Sequence, residues 1–491
     1  MSQYWILAAI LLPVIGGVLV RFIPYKNKKE MYIFLETFMI ATSVIVWGLI
    51  LSGTTEVFHV VHFVGDLSIS FKIDGMSMVF AGLVSILWPL ATLYGFEYME
   101  HHDRQNTFFM FYSIAYGVTL GIAFASDMLS MYFFYELLTL STVPLVMHTL
   151  KRDAILASRK YLYYSLGGAA FALMGLVFLI VYGDTLEFTL GGVLSPEKVA
   201  GNENMLLWIY LFAFLGFGVK AAIFPVCEWL PTAGVAPTPV TALLHAVGVV
   251  KAGVFGIIRL TYYSFGTEFL RGTWVQNVVM GLAMFTIVYG CSRAVKETHI
   301  KRRLAYSTVS NLSYIIFGVT IMTPIGLVGA LSHMIFHAAM KICSFMCAGA
   351  FMHQTGKKYI FDMDGLGRRM PIIFFALGLS GMGLMGVPGL AGFVSKWNLA
   401  KAAVESQNPL AYVGIVCLLI SALLTAIYMM TIMMRAFFPS HEFDADTIAH
   451  VSDPGWKMCL PILVCAVATV LLGLFSTPLI QFFADVATGI Y

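Results

Sequence analysis

Four lysines, Lys220, Lys251, Lys341 and Lys396, stand inside long apolar runs. An ammonium at bilayer depth costs roughly 2.5 to 3.5 kcal/mol on insertion scales, so four of them require partners or a hydrated path. A lysine's proton affinity responds to burial and to nearby carboxylates, so such a residue can load and release a proton. Arginine, with a pKa above about 12, cannot, and none of the four is arginine. Glu136, in SMYFFYELLTL, is the carboxylate set well inside an apolar run, where it needs a cationic partner. Glu36 and Asp127 stand nearer the ends of their runs and read as interfacial.

His333, His337 and Lys341 follow one another at four-residue spacing in HMIFHAAMK. On a helix they share an arc of about 80° and a rise of about 12 Å, which makes a polar ladder along one face. Histidine titrates near neutral pH, and a line of such groups can hand protons on. Two histidines at this spacing could also chelate zinc, but no further ligand lies near in sequence to complete a site. His245 and Lys251 lie six residues apart, about 120° on an intact helix, so both reach one axis only if the helix is distorted. Gly248, between them, permits that.

These residues need a membrane bundle to position them. The chain has 491 residues, 59% hydrophobic and 11% charged, with a mean hydropathy of +0.85, which excludes a soluble globular domain. The pattern predicts an all-α polytopic membrane protein of about fourteen helices in a single domain. The expected spans are 4–23, 31–51, 75–98, 107–126, 128–149, 159–182, 205–225, 239–262, 273–292, 302–322, 325–353, 371–404, 410–436 and 456–480. The N-terminal run has no basic residue before it and Lys26, Lys28 and Lys29 after it, the reverse of a cleavable signal, so it reads as the first helix. The seven cysteines are scattered singly through apolar segments and read as small buried hydrophobes.

Basic residues gather at alternate helix ends, as cytoplasmic loops do. Twenty of the 29, among them Arg21, Arg152, Lys301, Arg303, Lys357 and Arg435, fall on one side. Five fall on the other, including Arg259. The N-terminus is then expected outside. Two helices look interrupted: the eighth, after PTAGVAPTP, and the twelfth, at GVPGLAG before Lys396. Paired interruptions in corresponding halves point to inverted repeats with a site near the midplane.

Together these segments resemble the antiporter-like subunits shared by respiratory complex I, membrane-bound energy-converting hydrogenases and Mrp-type cation/proton antiporters. The resemblance rests on YELLTLSTVPL, FGVKAAIFPVCEWLP, APTPVTALLHAVGVVKAGVFGIIR, SHMIFHAAMKICSFMCAGA and GVPGLAGFVSKW, in that order along the chain. It implies an N-terminal segment over 1–106, two inverted five-helix repeats over 107–262 and 273–436, and a last helix over 456–480. It also implies a horizontal polar axis in which Glu136 pairs with Lys220, Lys251 and the histidine helix form the middle, and Lys396 ends the line.

The chain stops soon after its fourteenth helix, unlike the L-type subunits of complex I, and carries lysine where M-type subunits usually have glutamate. It is therefore most similar to the D-type member of the Mrp antiporters or its hydrogenase equivalent. The alternatives are an M- or N-type proton-pumping subunit of a complex I-like oxidoreductase, a non-conducting spacer, or a stand-alone solute transporter. No cofactor motif is present, so the driving force is expected from partner membrane subunits or an ion gradient, in the cytoplasmic membrane of a prokaryote. Protons are the expected cargo, with sodium as a second ion.

Overall fold

The computed structural model describes residues 3–53, 56–65, 67–439 and 448–490. The chain opens with α1 (Tyr4–Phe22) and α2 (Lys28–Ser52), then the strands β1 (Phe58–Val64) and β2 (Leu67–Phe71). Next come α3 (Gly75–Tyr98), α4 (Gln105–Phe124), α5 (Met128–Val146), α6 (Arg152–Tyr182), the short α7 (Pro196–Val199) and α8 (Glu203–Lys220). A one-turn α9 (Trp229–Ala233) leads into α10 (Thr238–Ala246) and α11 (Val249–Ile258), which runs on as a π-helical turn over Arg259–Phe265. Beyond the short α12 (Thr267–Leu270) lie α13 (Trp274–Lys296), α14 (Ile300–Thr320) and α15 (Pro324–Thr355). The last part holds α16 (Pro371–Met385), α17 (Ala391–Glu405), α18 (Pro409–Phe437), α19 (Trp456–Leu474) and α20 (Thr477–Ala487).

Among the described residues, twelve helices are long and apolar enough to cross a membrane. Helices also occupy the other two expected spans, α14 in one and the pair α16–α17 in the other. Helix α14 is less apolar than the other spans, with Lys301, Arg302 and Arg303 in its first turn and Ser307, Ser310, Asn311, Ser313 and Tyr314 beyond, yet it is buried along nearly its whole length. The α10–α11 span is 100% buried and α18 only 28%, which puts the broken eighth span at the centre of the bundle and α18 at its rim. Exposed Leu419 and Leu423 on α18 are the lipid-facing side chains that such a rim requires.

The mostly helical expectation holds with one addition: FHVVHFV and LSISF pair as an irregular antiparallel hairpin, turned at Gly65, whose φ is +58°. Two placements of basic residues need correction. Arg259 is not a loop charge but a fully buried arginine, held by Asp74 at the N-terminus of α3 through two bonds of 2.7 and 2.8 Å. Phe188, Phe255 and Tyr263 flank its guanidinium. Lys301 and Arg303 also lie inside, each 3% exposed, where the sequence placed them among loop charges. The first turn of α14 is tucked beneath neighbouring segments: Ile300 N–H bonds Lys358 O, and Arg303 reaches Tyr428 O at 2.8 Å.

Both expected interruptions are present. Pro237 caps α10 and Pro239 sits in its first turn, where its missing N–H leaves no bond unmade. The helix then breaks at Val247–Gly248, whose N–H groups both donate to Leu243 O. Helix α16 ends at Gly386 (φ +94°), and Gly389 (φ +87°) turns the chain into α17.

Candidate functional site

Lys220 is the last residue of α8, where a cation complements the negative end of the helix dipole. Its ammonium donates to the Tyr135 carbonyl of α5, lies 3.4 Å from the centroid of the Tyr135 ring, and stands 3.9 Å from Glu136 Oε1. Glu136 is the more open partner, with a side chain 23% exposed against 1% for Lys220. Helix α11 comes in close here because it presents Gly253, where a Cβ would lie 2.7 Å from the Lys220 carbonyl carbon.

About one turn of helix beyond the break in the eighth span, the polar line resumes across the two halves of the chain. Lys251 Nζ lies 3.0 Å from His337 Nδ1, both fully buried. The His337 and His333 rings stack with centroids 5.7 Å apart. His333 is held from both sides, by Ser395 Oγ at 2.9 Å and Asn311 Oδ1 at 3.3 Å, with Tyr314 stacked against it. The four-residue spacing on α15 thus makes the ladder that was expected, but its third member turns aside. Lys341 donates to Ser307 Oγ at 2.6 Å and Leu304 O at 3.3 Å, both on α14.

Lys396 closes the other break. Its ammonium donates to Leu384 O at 2.7 Å and Met385 O at 3.0 Å, the final carbonyls of α16, and faces the Tyr314 ring at 5.2 Å. Carbonyls in the last turn of a helix lack intrahelical donors, so this lysine satisfies groups that the break exposes. His245 is the exception among the expected residues. It is fully buried and packs its ring 4.7 Å from Phe345, and neither ring nitrogen has a protein partner.

The structure therefore brings together Glu136 with Lys220, and Lys251 with His337 and His333. Among the described residues no direct bond joins Lys220 to Lys251, or either cluster to Lys396. Asp127, expected at an interface, is buried as the N-cap of α5, accepting from Ser70 at 2.5 Å and Ser130 at 3.0 Å. Glu36 is partly buried, with one oxygen sealed inside and unpartnered. Among the described residues no group of three or more histidine, cysteine or carboxylate side chains could hold a metal, and all seven cysteines are free.

The sequence reading missed the α14 contribution, Ser307, Asn311 and Tyr314. Their spacing of four and then three residues is a helical stripe, and a polar stripe on a helix between two apolar neighbours was a usable signal.

The family described as NADH:quinone oxidoreductase/Mrp antiporter, TM, matches residues 125–425, more than half of the chain. The family described as NADH-Ubiquinone oxidoreductase (complex I), chain 5 N-terminus, matches residues 60–109. The NADH-quinone oxidoreductase subunit N of Desulforudis audaxviator is 29% identical, over 84% of this chain and 83% of that protein. The NAD(P)H-quinone oxidoreductase chain 4-2 of Synechocystis sp. is 28% identical over 91% and 82%. The Na(+)/H(+) antiporter subunit A1 of Staphylococcus haemolyticus is 26% identical over 98% of this chain, which spans only 62% of that longer protein. Two solved structures share the fold over 100% of this chain and 98% of theirs, each at 21% identity. One is from the membrane-bound sulfane sulfur reductase, an archaeal respiratory membrane complex, with a TM-score of 0.86. The other is from the Mrp complex of Dietzia sp. DQ12-45-1b, with a TM-score of 0.84. With its buried lysine–histidine line and this match across the bundle, the chain belongs to the NADH:quinone oxidoreductase/Mrp antiporter transmembrane family, as an antiporter-like membrane subunit.

Proposed function

We propose that this subunit carries protons along the line Glu136–Lys220, Lys251, His337 and His333 to Lys396, within a complex of several membrane subunits. The observation that carries the reading is the 3.0 Å contact between Lys251 and His337. A fully buried lysine set against a basic nitrogen rather than a carboxylate is an expensive arrangement for a structural pair. It is an effective one for passing a proton, because either nitrogen can hold it. Making or breaking the Glu136–Lys220 contact changes how readily Lys220 keeps its proton, and so moves charge toward Lys251.

The basic helix ends face the cytoplasm in this reading, with the N-terminus outside and the two interrupted spans as equivalent members of two inverted repeats. Lys396 at the terminal position favours an Mrp host, with this chain in the D-type place, or a hydrogenase-type host, with sodium as the counter-ion in the first case. The resemblance to subunit N and chain 4-2 over more than four fifths of their lengths supports the second reading, a complex I-like host.

The test is proton uptake by liposomes containing the whole complex. Lys220→Ala is expected to abolish it while the complex still assembles, and undiminished pumping overturns the assignment. If the subunit is a non-conducting spacer, Lys220→Ala will behave like Leu423→Ala on the lipid-facing rim, with assembly and transport changed equally in the two.

A further inference from the structure

Helix α18 is the most apolar of the twelve crossing helices and lies at the rim of the bundle, yet one face of it is polar. Ser421, Thr425 and Tyr428 recur at spacings of four and three residues on that face, and none is more than 1% exposed. The first two do what hydroxyls in membrane helices commonly do. Thr425 donates to Ser421 O at 2.7 Å, one turn back, and Ser421 Oγ meets Cys291 Sγ of α13 at 2.8 Å. Tyr428 does something else. Its hydroxyl bonds Ser307 Oγ of α14, which is also the acceptor for the Lys341 ammonium at 2.6 Å. Arg303 fixes the same tyrosine by donating to its carbonyl at 2.8 Å.

Lys341 stands beside the polar line, one turn of α15 and about 6 Å along its axis from His337. The titratable groups that face it are His337, His245 of α10 and Cys291 of α13, and among the described residues no carboxylate pairs with it. Two positive charges at that separation repel, so His337 takes a proton from Lys251 most readily when Lys341 is uncharged. The hydroxyl chain bears on that charge. With Lys341 as an ammonium the chain runs one way: Lys341 donates to Ser307, Ser307 to Tyr428, and Tyr428 to Thr425 at 3.3 Å. The Thr425 hydrogen is taken by Ser421 O, so Thr425 only accepts from Tyr428. With Lys341 as a free amine, its lone pair accepts from Ser307, and Tyr428 turns its hydrogen from Thr425 to Ser307. Two hydroxyl rotations suffice, the longest bond of the chain is given up, and no proton changes owner along it.

We propose that Tyr428 is a positioning residue for the proton line: through Ser307 it sets when Lys341 lets go of its proton, and so when His337 can take the one on Lys251. This rests on the proton-path reading above. Without the phenol hydroxyl, the Ser307 hydrogen has no acceptor while Lys341 is an ammonium. It keeps one, the lysine nitrogen, when Lys341 is an amine. Removing the hydroxyl therefore favours the amine.

Tyr428→Phe deletes one oxygen and keeps the ring. In liposomes holding the whole complex, proton uptake is measured as a function of pH. The expected result is a rise of uptake with pH that begins about one pH unit lower than in the native complex, the equivalent of one net hydrogen bond. A native profile overturns the proposal. So does uptake lowered by the same factor at every pH, which is what a merely structural role gives. If Tyr428→Phe does not assemble, Ser307→Ala takes its place, with a shift in the same direction expected and a native profile again overturning the proposal. In a Ser307→Ala background, Tyr428→Phe should move the profile no further, and shifts that add overturn the proposal. Tyr412→Phe, at a position on the same helix that is 43% exposed, should keep the native profile; a matching shift there overturns the proposal. Lys220→Ala is measured alongside: full transport in that variant refutes the proton-path reading, whereas its loss together with an unmoved Tyr428→Phe profile refutes only the role of Tyr428.

Discussion

Glu136→Gln removes one charge from the Glu136–Lys220 pair and leaves shape and hydrogen-bonding capacity nearly unchanged. At the observed 3.9 Å, two unit charges attract by about 4 kcal/mol for an effective dielectric constant of about 20. That is close to a thousandfold in an equilibrium constant at about 1.4 kcal/mol per decade. A membrane potential of 100 mV supplies only about 2.3 kcal/mol per charge moved. Losing the pair should therefore exceed what the potential can restore. The assay is proton uptake by liposomes containing the whole complex, followed while the imposed potential is raised in steps. The expected result is a Glu136→Gln complex that assembles normally, transports far more slowly, and is not returned to the native rate by a further 100 mV. If that increment recovers the native rate, the interaction is weaker than its distance implies, and the pair is not the energetic switch of this subunit.

Two other perturbations test the scaffold. Asp74→Asn keeps an acceptor for the Ser77 N–H that caps α3 but leaves the Arg259 guanidinium buried without a counter-charge. Breaking such a pair costs about 3–5 kcal/mol, and thermal unfolding of the purified complex should occur at a clearly lower temperature; an unchanged midpoint would show that the pair is not structural. Gly253→Val would drive its side chain into the Lys220 backbone. Overpacking costs about 1–3 kcal/mol, so this variant should lose stability and transport together, whereas Gly281→Val on α13, with open space around it, should lose neither.

The spans and breaks were legible because bilayer thickness sets the length of an apolar run and proline with glycine marks where a helix cannot continue. The histidine ladder was legible for a similar reason, since periodicity alone puts His333, His337 and Lys341 on one face of α15. Which partner each side chain meets was not. Lys341 turns to Ser307 and His333 to Asn311 and Ser395 because α14 and α17 pack where they do, and no local pattern reports that. Counting basic residues by side also treated Lys301 and Arg259 as solvent charges. A charge count does not distinguish a helix end that is open to water from one covered by neighbouring segments, as Lys301 is, or paired across the bundle, as Arg259 is with Asp74.

The two ends of the polar line hold their lysines by different means, and the difference suggests where control lies. Lys396 is bound by the last carbonyls of α16, fixed dipoles whose partial charge is set by the backbone. Lys220 has a backbone carbonyl too, but it also has Glu136, a full charge on a side chain that is part-exposed at the edge of the bundle. A fixed dipole stabilises its lysine equally at every stage of a cycle. A carboxylate that can be reached from outside the chain can be drawn toward or away from its lysine by whatever packs against it. On the proposed proton path, an external event such as a change in a neighbouring subunit therefore has a handle at Glu136 and no corresponding handle at Lys396, and exchange along that path should be triggered at the Lys220 end and completed at the break beside α16.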